Sequence, residues 1–334
     1  MESHLVTGAT GLVGMHIVLD LLSQNKKVCS TFTKNSNRSI IKHVFKHYGF
    51  SNYYDKIKWI KMDLEDVTEV YQAIKGVDFV YHSGAIVSFN KSDYEQMRRI
   101  NIDGTTNIVN ACLEYKIKKL AFISSVASIG RDGKGKYSEK NKWNSGKENS
   151  FYALTKYKAE NEVWRGIEEG LNAVITNPGI IIGPSHWGRS STTIFKQIHK
   201  GLSYFPEGEN GFIDVRDVAR ATIALMDSKI NRERFILVGE NLLYKSVFDD
   251  IALSLNKPKP YKKATKLLLE IAWRLEAIRC FITNKKQSIT KETARTASQI
   301  NIYENQKIIN ALNYNFKTIK EAISNTSKFL LKFK

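Results

Sequence analysis

Glycines at positions 8, 11 and 14 constrain this chain more than any other feature. The apolar pair Leu5-Val6 precedes them, and Met15-His16-Ile17-Val18-Leu19-Asp20-Leu21-Leu22 follows with helical periodicity. A strand that ends in glycines lets the backbone come close to a charged group, and the next helix points its free N–H groups and positive dipole end at that charge. The group that suits such a turn is the pyrophosphate of a dinucleotide. The spacing, Gly-x-x-Gly-x-x-Gly, departs by one residue from the usual Gly-x-Gly-x-x-Gly. The strand before and the helix after therefore carry the assignment.

Apolar and helical segments alternate along the first half. Strand candidates are Leu5-Val6, Lys27 to Thr33, Ile57 to Met62, Val77 to Tyr81, Leu120 to Ser124 and Asn172 to Thr176, with helical stretches at about 66–75, 93–115 and 150–169 between them. This rhythm predicts an α/β fold, a Rossmann-type doubly wound parallel sheet covered by helices on both faces. After Pro178 the pattern loosens through about Gly211, and Phe212-Ile213-Asp214-Val215-Arg216-Asp217-Val218-Ala219 starts another strand and helix. We expect residues 1–177 plus 212–240 to form the dinucleotide-binding domain. Residues 178–211 plus 241–334 are then a smaller, interleaved C-terminal substrate-binding region over the carboxyl ends of the strands.

With 334 residues, 42% hydrophobic and 25% charged, the chain can bury a full core. It has no apolar run of the roughly 18 residues needed to span a bilayer, and its N-terminus enters a strand directly, so a cytoplasmic location is expected. Cys29, Cys112 and Cys280 lack ligand or disulfide spacing and read as buried apolar residues. The seven histidines form no metal motif; His82 reads as structural, and no metal is expected. A net charge of +18 favours anionic partners. The lysines are dispersed without interleaved aromatics, so nucleic acid is not expected as a partner.

Tyr152 and Lys156 stand four residues apart, which places them on one face of a helix. A lysine cation favours the phenolate and lowers the tyrosine pKa, so the hydroxyl can move a proton near neutral pH. Upstream, the strand Leu120-Ala121-Phe122-Ile123 ends in Ser124-Ser125. A hydroxyl at the carboxyl end of a strand faces the crevice of such a fold, where Ser125 can donate to a substrate carbonyl oxygen.

In order and spacing, the glycine turn, the strand-end serine and the Tyr-x-x-x-Lys helix resemble the short-chain dehydrogenase/reductase superfamily, in its extended, epimerase/dehydratase-like branch. The likeness covers nearly the whole chain. It runs through Thr7-Gly8, Asp63-Leu64, Val80 to Ala85, Asn101 to Thr105, Tyr152 and Lys156, Asn177 to Pro184, and Asp214 to Ala219. The resemblance implies that Thr7, Gly8, Thr10, Gly11, Leu12, Val13 and Gly14 bind the pyrophosphate. By the same likeness Asp63 and Leu64 lie beside the adenine, and Ser83, Gly84 and Ala85 near the ribose. Pro178, Ile180 and Ile181 are implied by the nicotinamide, and Ile123 joins the cofactor-binding set. It further implies that Ser125, Tyr152 and Lys156 are the catalytic triad, that Lys156 also bonds the nicotinamide ribose, and that Asn101 begins a helix that helps assemble the site.

Dinucleotide folds specific for NAD place a carboxylate at the end of the second strand. Here Phe32 stands in that place and Lys34 and Arg38 follow, cations suited to a 2′-phosphate, so NADP(H) is favoured over NAD(H). Dehydratases of the branch carry an acid pair after the strand-end hydroxyl, whereas this chain has Val126-Ala127. Epimerases usually show an arginine before the proline and an asparagine two residues after it, whereas Asn177 and Ile180 stand here. These apolar replacements look more like the dihydroflavonol reductase and 3β-hydroxysteroid dehydrogenase groups. The expectation is hydride exchange with a carbonyl or secondary alcohol of a small, fairly apolar substrate. A nucleotide-sugar epimerase using the same triad comes second, and a catalytically silent NAD(P)-binding sensor third.

The stretch from Lys266 to Arg279 puts Lys266, Glu270 and Arg274 on one face and a broad apolar band opposite. Packing of the band against the domain is expected, with contact to a membrane surface or a cap over an apolar pocket as alternatives. The family resemblance also implies a homodimer joined through the helices around 93–115 and 150–169.

Overall fold

The structure, a computed structural model, describes residues 2–131, 135–146, 149–283, 287 and 289–333. The chain opens with β1 (Ser3–Thr7), α1 (Leu12–Ser23), β2 (Lys27–Phe32), α2 (Ser39–His47), β3 (Lys58–Lys61), α3 (Val67–Ile74) and β4 (Phe79–His82). Next come α4 (Tyr94–Arg98), one turn of π-helix at Arg99–Asp103, α5 (Gly104–Glu114), β5 (Lys119–Ile123), β6 (Lys136–Tyr137), α6 (Phe151–Glu168) and β7 (Ala173–Pro178). Then follow β8 (Ile180–Ile182), α7 (Thr192–His199), β9 (Tyr204–Pro206), β10 (Glu209–Asp214), α8 (Val215–Asp227) and β11 (Glu233–Leu237). The chain closes with β12 (Glu240–Leu243), α9 (Tyr244–Ser254), β13 (Lys262–Ala264), α10 (Lys266–Thr283), α11 (Lys291–Ala297), β14 (Ile302–Tyr303), α12 (Gln306–Leu312) and α13 (Ile319–Lys332).

Seven parallel strands form the main sheet in the order β11-β7-β5-β4-β1-β2-β3. Both faces are covered, so strand residues alternate between two apolar layers. Leu5, Val80, Leu120, Phe122 and Ile175 join the layer holding residues of α3, α5 and α6. Val6, Tyr81, Ala121 and Val174 join the layer holding residues of α1 and α8. The chain runs outward from β1 to β3 and returns to β4 on the other side of β1. Strand order therefore reverses between β1 and β4, and the crevice above that point is where such sheets take a ligand.

The strand at 209–214 lies outside the main sheet. β10 sits between β8 (parallel) and β12 (antiparallel) in a separate three-stranded sheet, while α8 packs on α1 and β11 closes the main-sheet edge. Apolar runs and turn residues mark where a strand is, and pairing decides which sheet it joins.

Helix α10 also departs from its sequence pattern. Its apolar band is split: Cys280 is buried and Leu269 and Trp273 are half-buried, whereas Leu267, Ile271, Leu275 and Ile278 are exposed along one stripe. Among the described residues, no helix is long and apolar enough to cross a membrane.

Candidate active site

The turn between β1 and α1 is pressed against the exit of β4. Gly8 adopts φ +64°, and a Cβ there would lie 2.7 Å from the Gly84 Cα. A Cβ on Gly14 would sit 2.3 Å from the Gly8 carbonyl oxygen. Only glycine allows both the left-handed turn and this close approach. The Thr7 hydroxyl bonds His82 Nδ1 at 2.7 Å and accepts from the Gly84 N–H at 3.2 Å, and Ser83 Oγ donates to the Thr7 carbonyl at 2.6 Å. His82 bridges on to Thr105 and is brought down to about 3 by burial, a neutral structural histidine.

Gly11 caps α1 without any side chain of its own, so the first N–H groups of the helix open onto the cradle beside Thr10, Leu12 and Val13. That combination fits a phosphate oxyanion. The cradle therefore fits the pyrophosphate of a dinucleotide, on the evidence of its glycine clearances.

At the end of β2 the Arg38 guanidinium lies 4.4 Å over the Phe32 ring and 5.5 Å from the Trp59 ring, and Lys34 is exposed nearby in the chain. Asp63 is exposed and accepts from the Glu65 N–H at 3.1 Å; Leu64 is buried under Gly84 and Gly104. Ala85 is exposed just beyond the turn.

Asn101 does not begin a helix. It lies in the π-helical turn inside the run that joins α4 to α5, 1% exposed, with its amide fully engaged. Its Oδ1 accepts from the Ile86 N–H at 2.8 Å, and its Nδ2 donates to the Ile86 carbonyl at 2.9 Å and to Thr155 Oγ1 at 3.1 Å. The extra residue of a π turn re-aims one side chain without ending the helix, which a 3.6-residue period cannot reveal. Asn101 thereby ties the segment after Ala85 to α6.

Helix α6 starts where Ser150 Oγ accepts from the Ala153 N–H at 3.0 Å, which sets Tyr152 in the first turn. The Tyr152 hydroxyl faces the side chain of Ser125, which stands at the carboxyl end of β5. One turn further along α6, Lys156 donates to the Ile123 carbonyl at 2.8 Å and lies 4.4 Å over the Phe122 ring. Burial pushes the Tyr152 phenol up to about 12, and the Ser125 hydroxyl opposes that rise. Burial brings the Lys156 ammonium down to about 7, against the pull of the Glu160 carboxylate. The sequence reading gave the lowering of the phenol to Lys156; here the opposing group is Ser125, because the ammonium is directed at the Ile123 carbonyl.

The family model described as NAD dependent epimerase/dehydratase family matches residues 4–239. The chain belongs to that family. Its members are NAD(P)-dependent enzymes of the extended short-chain dehydrogenase/reductase type, and this chain is one of them. It is 27% identical over 335 residues to a putative dihydroflavonol 4-reductase of Synechocystis, covering 97% of this chain and 93% of that protein. It is 26% identical over 260 residues to sterol demethylase protein B of Methylococcus capsulatus, covering 77% and 75%. The solved structure of gox2253 superposes with a TM-score of 0.82 at 25% identity, covering 99% of this chain and 98% of that one.

This family member holds its strand ends together with a carboxylate that the motif reading missed. Glu160, 2% exposed, accepts through Oε2 from Ser124 Oγ (2.7 Å), Ser128 Oγ (2.7 Å) and Asn177 Nδ2 (2.8 Å), and through Oε1 from Arg234 at 3.0 Å. Asn177 also donates to the Ser125 carbonyl at 3.2 Å and leads into Pro178, which ties the end of β7 to the serine turn; Ile180 and Ile181 follow in β8, paired with β10. The signal was available as one more step of four after Lys156, but four-residue steps decorate most helices. The turn Val126–Ser128 after Ser125 holds no carboxylate.

Proposed function

We propose that the chain transfers hydride between a nicotinamide cofactor and the carbonyl or secondary alcohol carbon of a small, fairly apolar substrate. What supports this reading is the meeting of Tyr152 and Ser125 at the carboxyl end of β5, with Lys156 on the same face of the tyrosine helix. A bound nicotinamide dinucleotide supplies the hydride. In the reducing direction the Tyr152 hydroxyl delivers a proton to the substrate oxygen, and Ser125 donates a hydrogen bond to the same oxygen as negative charge develops there. Lys156, brought near neutrality by burial, is the group suited to replace that proton. Alcohol oxidation uses the same groups in reverse.

The absence of a carboxylate beside Ser125 argues against elimination of water, which needs a general acid and base there. For the cofactor we favour NADP(H). What supports this is that Arg38, set over the Phe32 ring, and Lys34 are cations suited to a 2′-phosphate, following the position where NAD-specific folds keep an acid.

The test is a spectrophotometric screen of aldehydes, ketones and nucleotide sugars with NADPH and NADH. Oxidation of reduced cofactor by an aldehyde or ketone supports the proposal. Turnover confined to nucleotide sugars, without net change in cofactor, overturns it.

A further inference from the structure

Arg131 is buried, 8% exposed, and no carboxylate is paired with it among the described residues. One terminal nitrogen donates to the Tyr303 hydroxyl at 3.2 Å, while its Nε is buried without a hydrogen-bond partner. Guanidinium stays charged at any pH a protein meets, and an uncompensated charge away from water is costly. Asn301, 2% exposed, has a second orphan donor, its Nδ2. Both side chains line one cavity of about 800 Å³ between the β6 segment, α10 and the chain that enters β14.

The rest of the lining has the same sign. Lys136 and Lys266 stand at the exposed rim. Among the described lining residues the carboxylate is Glu270, already engaged by Arg274 and by the Trp273 Nε1–H. Leu269, Tyr137 and Ile302 supply apolar wall. We infer that this cavity is an anion-binding site for a ligand that presents a carboxylate or phosphate to Arg131 and Asn301 and lays an apolar body along the wall. A planar guanidinium fork suits the paired oxygens of either group. The inference concerns a site other than the glycine cradle and requires no catalytic role for Tyr152.

Thermal unfolding of the full chain, followed in inorganic phosphate and in benzoate against chloride at matched ionic strength, tests it. The wild type is expected to gain stability with phosphate or benzoate beyond the chloride control, because a ligand held only by the folded state raises its stability. Arg131→Met is expected to lose that gain, with apparent anion affinity falling about tenfold or more, and to melt higher than the wild type without added anion, since the unpaired charge is gone. Arg131→Lys should keep part of the response. Any phosphate response from the glycine cradle is common to all three proteins and cancels. Should Arg131→Met fail to fold, the rim variant Lys136→Gln/Lys266→Gln must show a weakened response. Equal anion-dependent gains in the wild type and these variants, or no gain in the wild type with either anion, overturn the inference.

Discussion

Lys156 and Glu160 stand one turn apart on α6, and the buried Glu160 carboxylate pulls the lysine pKa upward while burial holds it down near 7. Five donors, from Ser124, Ser128, Asn177, Arg234 and Trp164, anchor that carboxylate, so it is fixed in place. With Glu160→Gln the upward pull disappears and Lys156 sheds its proton at lower pH. The alkaline limb of the kcat/KM profile should move to lower pH. A limb that stays put would separate the lysine from the rate.

Stability carries the same signature. Below about 7 Lys156 is protonated in both folded and unfolded chains, and the penalty for burying its charge is felt in full. Between about 7 and the usual 10.5 the folded protein has lost the proton and the unfolded chain has kept it, so stability climbs with pH and the penalty fades. Lys156→Met lacks this slope. Its unfolding midpoint relative to wild type should therefore be most favourable at or below pH 7 and decline toward pH 10; a difference independent of pH would contradict the assigned burial.

Tyr152→Phe removes one hydroxyl at the crevice and leaves the glycine cradle alone. Cofactor affinity, measured by fluorescence titration, should stay within about twofold, while turnover falls by about 10²–10⁴-fold, the usual worth of a positioned proton donor. Undiminished turnover would remove Tyr152 from the reaction.

Lys34→Glu and Arg38→Met should each weaken NADPH more than NADH, by about tenfold for a lost charge-assisted contact of some 1.4 kcal/mol. Arg38→Lys should recover only part, because an ammonium neither stacks on Phe32 nor presents a fork. Equal losses for both cofactors would dismiss the 2′-phosphate reading.

Gly14→Ala places a methyl 2.3 Å from the Gly8 carbonyl, and Gly8→Ala adds a left-handed φ that costs an L-residue about 1–2 kcal/mol. Both variants should melt several degrees lower and lose cofactor affinity together. Normal binding by either would show that the turn does not carry the phosphate.

The sheet, its helices and the placing of Tyr152 and Lys156 on one helix face were legible because they rest on short-range pattern. Leu5-Val6, Val80-Tyr81 and Leu120 to Ile123 announce strands buried on both faces, and the four-residue step from Tyr152 to Lys156 survives any docking of α6. Asn101 was misplaced because a π turn hides inside a helical period. The strand at 209–214 was found but its sheet was not, since β8 and β12 are paired with it only after the chain has folded.

By itself, the amino-acid order determined the glycine cradle, the run of buried strands and the residues able to move a proton, all set by backbone sterics and periodicity over a few neighbours. Tertiary structure alone decided that Glu160 gathers Ser124, Ser128, Asn177 and Arg234 and that Arg131 and Asn301 meet in one cavity. It also decided that Ser125 and not Lys156 opposes the burial of the phenol. The physical reason is that desolvation and hydrogen bonding depend on which distant segments exclude water around a group, and no local pattern encodes that.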